Sequence, residues 1–141
     1  ATTFIYGGLT VGAPFAPLVW TFALIAGLID LGQEIAHDAV DMAGDAAAGS
    51  RSLAIQLGPD VAISVGAALF LLVIVVSAVP LLLGWLSVVY LLPILLMDGV
   101  ILAATVRLLD AHVTDKRPHL RRIYLTSTAA ILLIIVLRLL L

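Results

Sequence analysis

The sequence predicts an all-α polytopic membrane bundle with about four complete transmembrane helices and part of a fifth. The first reason is composition: 63% of the 141 residues are hydrophobic, 11% are charged, and the mean hydropathy is +1.24. Soluble domains carry about 25% charged residues. The second reason is spacing, because apolar stretches of about 20 residues, the length that crosses a bilayer, recur along the chain. We expect residues 1–141 to form a single membrane domain.

The same composition excludes several classes of protein. The chain has no Cys, so disulfides and thiolate metal sites are excluded. With seven Lys and Arg residues and a formal net charge of −2, the chain cannot form a basic nucleic-acid surface. The stretch after Ala1 has neither a charged segment nor a small-residue cleavage site, so no signal peptide is predicted. We expect the sequence to start inside a larger protein.

The first helix is predicted to be incomplete and the second to be long. Residues 1–13 are too short to cross a bilayer, so we expect them to be the end of a helix before a proline-rich turn. The second helix is predicted over 18–44, with an apolar first half and an acidic second half. A connection over 46–60 ends in Gly58-Pro59, a strong helix breaker.

Three further helices are predicted after this connection. The third covers 61–79 and contains no ionisable residue. A short turn at 80–84 precedes the fourth helix, over 85–109. A polar loop at 111–122 precedes and overlaps the start of the fifth helix, over 120–141, and beyond the loop this helix is apolar except for Arg138.

The cations predict how these helices are oriented. Six of the seven Lys and Arg residues lie in or beside the loops 45–60 and 107–122. Two helices separate these loops, so both face the same side of the membrane, and the positive-inside rule makes that side cytoplasmic. We therefore expect a multi-pass protein of the cell or inner membrane whose acidic segment lies at the cytoplasmic side. The six cations are Arg51, Arg107, Lys116, Arg117, Arg121 and Arg122.

The acidic segment, residues 30–45, holds five of the nine acidic residues of the chain. On a helix their side chains share an arc of about 80° over about four turns. Like charges at this spacing repel one another, and burial in a membrane adds several kcal/mol. Such a stripe is stable if cations bridge it, if some acids are protonated, or if it lines a water-filled cavity. The five acids are Asp30, Glu34, Asp38, Asp41 and Asp45.

Oxygen ligands without Cys, with one neighbouring His, favour Mg²⁺ over zinc or copper. Mg²⁺ held by a few carboxylates usually shares its coordination shell with phosphate oxygens and water. The segment therefore predicts a cavity that binds Mg²⁺ and a diphosphate. Two alternatives stay open: a solvated helix end at the membrane surface, and a site for cation or proton transport.

Two other polar features have alternative interpretations. Asp98 falls in the middle of a predicted helix, where an acid either faces a cavity or packs against a polar group of a neighbouring helix. The loop 110–122 either covers the site and contacts diphosphate, or is solvated and lies beside anionic lipid.

The segment 34–55, EIAHDAVDMAGDAAAGSRSLAI, resembles the second aspartate-rich motif of the UbiA-type intramembrane prenyltransferases. In that superfamily an acidic helix end is followed by Gly-x-(Lys/Arg)-(Ser/Thr)-(small or apolar)-(Ala/Pro)-Ile and then by a Leu-Gly pair, here Leu57-Gly58. The acidic spacing is most similar to the branch that prenylates glyceryl phosphates or aromatic and quinone-type acceptors. The resemblance implies that the chain is the C-terminal half of a nine-helix fold.

The resemblance also implies a function and roles for particular residues. The function is Mg²⁺-dependent transfer of an isoprenyl group from a prenyl diphosphate to a lipid-soluble acceptor. Asp38, Asp41 and Asp45 are the implied Mg²⁺ ligands and catalytic residues. Glu34 and Arg51 are the implied substrate-binding residues, with Arg51 as a phosphate clamp.

The first motif of the superfamily, of the Asn-Asp-x2-Asp-x3-Asp type, has no counterpart in this sequence, which contains no Asn. The missing half is expected in the same chain or in a partner subunit. One alternative function is a non-catalytic, half-length membrane subunit. Another is a fragment of an ion-coupled transporter.

Overall fold

Four long apolar stretches of the sequence form the four long helices of the structure. The structure is a computed structural model that describes residues 1–47 and 51–140, with side chains described over 1–42 and 51–140. No strand occurs in these ranges, and four helices are long and apolar enough to cross a membrane. The predicted all-α membrane bundle is therefore confirmed. The helices are α1 (Thr2–Thr10), α2 (Pro17–Ala47), α3 (Leu53–Leu57), α4 (Pro59–Leu82), α5 (Leu91–Leu109) and α6 (Arg117–Leu140).

Helix α2 carries both an apolar span and the acidic segment. Its 31 residues correspond to about 46 Å at 1.5 Å per residue, whereas the hydrocarbon core of a bilayer is about 30 Å thick. The helix is therefore long enough to cross the core and to carry the end of the acidic segment beyond it, toward the membrane surface. The helix ends at Ala47, three residues beyond the predicted end at Gly44. An internal glycine costs only about 1 kcal/mol, and the alanines that follow are the best helix formers.

The predicted connection 46–60 contains a short helix, α3. Gly58 ends α3 with φ +93° and ψ 155°, a conformation that essentially only glycine adopts. Pro59 takes the first position of α4, where its missing N–H has no intrahelical partner to lose. The predicted break at Gly58-Pro59 is confirmed, and the structure adds a short helix, α3, within the predicted connection.

Helix α4 continues through Pro80, where the sequence predicts a turn. Pro80 is buried in the last turn, and the helix ends at Leu82. So close to the helix end, the proline removes one hydrogen bond without preventing the final residues from staying helical. Its carbonyl oxygen accepts the Trp85 N–H at 2.8 Å, and Gly84, with φ +69°, makes the turn itself.

Helix α5 starts later than predicted. The predicted helix 85–109 begins with a bend at Trp85 and Leu86, passes through a 3₁₀ turn at Val88–Tyr90, and becomes α-helical at Leu91. At its other end, Lys116 Nζ donates hydrogen bonds to the carbonyl oxygens of Leu108 and Asp110. These bonds satisfy carbonyl groups that a helix end leaves without intrahelical partners.

Helix α6 starts at Arg117, earlier than the predicted Leu120. Asp115 Oδ1 accepts the backbone N–H of Arg117 at 3.1 Å, so a local side-chain bond covers one of the free donors at the helix start. Pro118 lies in the first turn, as predicted. The earlier start adds one arginine of the predicted loop, Arg117, to the helix.

Small residues bring α2 and α4 close together. A Cβ atom added to Gly32 would lie 2.8 Å from Cε1 of Phe70, and one added to Gly66 would lie 3.0 Å from the carbonyl oxygen of Gly32. The Gly66 position also faces the Cβ of Ala36, at 3.3 Å. Close backbone approach at small residues is the usual way in which membrane helices associate.

The four long helices form one core. Helix α4 packs against α2 and α5, and α6 packs against α5 and returns to α2. Buried side chains from all four helices form a single cluster. Its most deeply buried members are Phe70, Val73, Ile101, Leu108, Leu120 and Ile123.

Candidate functional site

The acidic face of α2 lies beside the start of α6, and an ion pair joins them. Arg117 Nη2 donates to Asp41 Oδ1 at 2.6 Å. The two side chains are 62% and 52% exposed, and an exposed pair of this kind contributes about 0–1 kcal/mol to stability. The ion pair matters for the site because it holds the guanidinium of Arg117 beside Asp41, a carboxylate that is predicted to bind metal.

A buried hydrogen bond fixes α6 against α2 one turn deeper. Gln33 is 8% exposed, and its Nε2 donates to the carbonyl oxygen of Leu120 at 2.8 Å. With Leu120 held toward α2, the side chains of Arg117, Arg121 and Tyr124 fall on one side of α6, within an arc of about 60°. This side of α6 borders the acidic face of α2.

The space between these two faces is open. A cleft of about 660 Å³ lies at the level of the ion pair. Its apolar lining includes Pro118 and Leu125. Its polar lining consists of His37, Asp41, Asp115, Arg117, Arg121 and Arg122.

A second cleft, of about 520 Å³, continues along the same two helices. It shares His37 and Arg121 with the first cleft, so the two are adjacent. We call the two clefts together the α2–α6 groove. The second cleft is lined by Asp30, Gln33, Glu34, His37, Arg121 and Tyr124.

The groove has walls of opposite charge. The α2 wall carries Asp30, Glu34 and Asp41, and the α6 wall carries three arginines. Among the described side chains, Arg121 and Arg122 form no ion pair. The groove therefore offers carboxylates that can bind cations on one side and guanidinium groups that can bind anions on the other.

Asp98 belongs to a different part of the bundle. Ser77 Oγ, on α4, lies 2.7 Å from Asp98 Oδ2, on α5. Asp98 Oδ1 is buried and has no hydrogen-bond partner within the described part of the chain. This arrangement confirms the interpretation in which Asp98 packs against a polar group of a neighbouring helix.

The comparison with protein families agrees with the sequence motif and the helical architecture. The family model of the UbiA prenyltransferase family matches residues 1–128.

The chain belongs to the UbiA prenyltransferase family.

Curated relatives of this UbiA-family chain share one name, digeranylgeranylglyceryl phosphate synthase. The relative from Natronomonas pharaonis is 38% identical over 97 residues, which are 67% of this chain and 35% of the relative. The relative from Methanopyrus kandleri is 39% identical over 99 residues, which are 70% of this chain and 36% of the relative. The chain thus spans about a third of the length of these relatives. No solved structure matches the chain.

The predicted site residues of this UbiA-family chain lie at different places in the structure, some in the groove and some outside it. Glu34 and Asp41 line the groove, and Asp38 is half-buried on α2 outside the groove lining. Asp45 lies on α2, but its side chain is outside the described residues. Arg51 is exposed and lines neither cleft of the groove.

The family's metal, Mg²⁺, is compatible with the donors that are described. Asp38 and Asp41 are three residues apart on α2 and are therefore neighbours on its surface, with about 5–6 Å between their Cβ atoms. One or two carboxylates completed by phosphate oxygens are a common Mg²⁺ site. Over residues 1–42 and 51–140, no group of three or more acids or histidines is close enough to bind a metal.

Sequence reasoning alone missed two residues of the groove. Gln33 gives one signal in the sequence, as an uncharged polar residue between Asp30 and Glu34 of the acidic segment. The sequence places Arg121 where the predicted polar loop and the predicted fifth helix overlap, without indicating which side of the helix it takes. In the structure Arg121 lies one turn after Arg117 and lines both clefts beside α2.

Proposed function

We propose that the full-length protein transfers a geranylgeranyl group from its diphosphate to a glyceryl phosphate that already carries one such group. Membership of the UbiA family supports prenyl transfer in a membrane. The relatives' printed name supports the acceptor, because their product carries two geranylgeranyl groups on a glyceryl phosphate. We also propose that this chain is one membrane domain, the later part of a nine-helix fold.

The observation that carries the proposal is the groove in which carboxylates of α2 face arginines of α6. A prenyl diphosphate ionises only if the negative charge on the departing diphosphate is stabilised in a site that excludes water. Asp38 and Asp41 would hold Mg²⁺, with Asp45 as a third ligand. Neutralisation of the diphosphate is the chemistry that Mg²⁺ supplies when bound.

The other residues of the chain have binding roles in this proposal. Arg117 would exchange its bond with Asp41 for a bond with a diphosphate oxygen, since a guanidinium suits bidentate contacts with phosphate. Glu34 would contact the acceptor from the opposite wall, and Arg51 would bind a phosphate oxygen from the end of the bundle where α2 gives way to α3. We place this end at the cytoplasmic side, where the positive-inside rule puts its arginines.

Replacement of one carboxylate tests the proposal. In the full-length protein, Asp41→Asn should lower Mg²⁺-dependent prenyl transfer by about a hundredfold, because it removes a charged metal ligand. The measurement is turnover of geranylgeranyl diphosphate with the glyceryl phosphate acceptor over a range of Mg²⁺ concentrations. Asp60→Asn is the matched control, an exposed acid in the first turn of α4.

Near-normal turnover of the Asp41→Asn protein would show that Asp41 is not a metal ligand of the reaction. Absence of transfer by the wild-type full-length protein, with glyceryl phosphate and with aromatic acceptors alike, would instead favour a non-catalytic membrane subunit. Thermal unfolding of both variants in detergent shows whether a loss of activity comes from the site or from the fold.

A further inference from the structure

Among the described side chains, Arg121 and Arg122 of the groove have no anionic partner, whereas their neighbour Arg117 has one. Arg117 donates to Asp41 at 2.6 Å. Arg121 lies one helical turn further along α6, about 6 Å deeper, and it lines both clefts of the groove. Arg122 lines the outer cleft beside it. The α6 wall thus has two guanidinium groups in addition to that of Arg117, which is paired with a carboxylate of the α2 wall.

The reaction itself places two anionic groups close together. The prenyl donor carries a diphosphate, which the carboxylates of α2 would bind through metal. The proposed acceptor carries a phosphate monoester, with a charge of about −1.5 to −2 at neutral pH. A group with this charge is bound well by two guanidinium groups, which make short bidentate hydrogen bonds to its oxygens.

The polarity of the groove matches a lipid with a phosphate head. From Arg121 the lining continues to Tyr124 and Leu125, which follow on the same side of α6. The helix beyond them continues through Thr126, Ser127 and Thr128 into an apolar run over 129–137. A lipid whose phosphate lies at Arg121 would therefore have its isoprenoid chain beside apolar side chains within the membrane.

We propose that Arg121, with Arg122, binds the phosphate of the glyceryl phosphate acceptor and so selects acceptors that carry this group. The inference rests on the proposed function. It assigns the two walls of the groove to different substrates, with the donor diphosphate on the acidic α2 wall and the acceptor phosphate on the basic α6 wall.

The test measures binding of the acceptor to the full-length protein in detergent, without Mg²⁺ and without prenyl diphosphate. The probes are geranylgeranylglyceryl phosphate and the matching alcohol that lacks the phosphate, each titrated by calorimetry. Arg121→Gln should raise the Kd of the phosphate probe about tenfold and leave that of the alcohol unchanged, as expected for loss of charged hydrogen bonds. Arg122→Gln should act in the same direction.

The matched control is Arg107→Gln, which removes an arginine from the same end of the bundle but from outside the groove. It should bind both probes as the wild type does. Turnover measurements form a second arm, in which Arg121→Gln should raise the KM for the acceptor and leave the KM for the prenyl diphosphate within about twofold. Arg121→Lys keeps the charge without the bidentate geometry, so an intermediate Kd is expected from it.

Several results would overturn the inference. One is equal binding of the phosphate probe by wild type and Arg121→Gln; another is an equal loss in Arg107→Gln, which would indicate a general effect of charge. A rise in the KM for prenyl diphosphate alone would assign the arginines to the donor. If Arg121→Gln does not fold, the wild type alone provides the test. Equal Kd values of the wild type for the phosphate and alcohol probes would also overturn the inference. If the wild type prefers the phosphate probe but transfers no prenyl group, the proposed function fails and this inference stands.

Discussion

At the scale of single residues, polar groups of this chain are joined across helices. Ser77 on α4 meets Asp98 on α5 inside the bundle, and Asp41 on α2 meets Arg117 at the exposed start of α6. The two pairs differ in environment and therefore in consequence. A buried polar group that loses its partner costs about 1–3 kcal/mol, whereas an exposed ion pair contributes about 0–1 kcal/mol. The first pair contributes to stability, and the second supplies charges to the groove.

The Ser77–Asp98 pair gives a prediction about stability. Ser77→Ala should lower the free energy of unfolding by about 1–3 kcal/mol, because Asp98 loses its hydrogen-bond partner inside the bundle. Ser64→Ala is the matched control on the same helix, since this exposed hydroxyl bonds only to the Asp60 carbonyl one turn away. Thermal unfolding in detergent measures both. Equal melting of the two variants would show that the pair contributes nothing.

At the scale of elements, α2 combines two tasks on different faces. One face packs against α4, including at Gly32 within the acidic segment, and the acidic face forms one wall of the groove. The two helices approach closely at Gly32 and Gly66, where larger side chains would collide. Because both tasks share one rigid helix, the packing at these glycines also positions Glu34 and Asp41.

Gly66→Leu should therefore lower stability by about 1–3 kcal/mol, since the added side chain meets the backbone oxygen of Gly32, which cannot move without shifting the helix. Gly99→Leu, on α5, is the control, because an added Cβ meets nothing within 4 Å there. Unfolding of the two variants in detergent is the measurement. A Gly66→Leu protein as stable as the control would contradict the close packing of α2 and α4.

At the scale of the whole molecule, the ends of the bundle differ in charge. The Asp41–Arg117 pair shows that the end of α2 and the start of α6 lie together. The end of α5 lies with them, through Lys116 and the Leu108 carbonyl. The end of α2 and the segment between α5 and α6 thus share one end of the bundle, as predicted, and the turn around Gly84 lies toward the other. At this polar end the proposed reaction would receive its charged donor and its lipid acceptor.

The orientation of this end can be tested with single cysteines, since residues 1–141 contain none. On a background without other cysteines, Thr114→Cys should react with a membrane-impermeant maleimide only after the cells are opened. Ser87→Cys should react in intact cells, because both positions are exposed and lie at opposite ends. The reverse pattern would place the groove outside the cytoplasm and contradict the positive-inside assignment.

The sequence alone determined the helical membrane class, the four spans, the break at Gly58-Pro59 and the acidic wall of the groove. These features depend on local properties: the length of apolar stretches, the φ angles open to glycine and proline, and the phase of acids along one helix. Helix ends were less predictable, as at Pro80, because hydrogen bonds outside the helix decide whether its last turn persists.

Only the tertiary structure decided what faces the acids. The contacts of Gln33 with Leu120 and of Asp41 with Arg117 join residues 87 and 76 positions apart. They depend on the rotation of α6 about its axis, which is set by the sum of its packing contacts with α5 and α2. No local pattern encodes that rotation. This rotation places Arg121, which the sequence assigns to the overlap of a loop and a helix, on the wall of the groove.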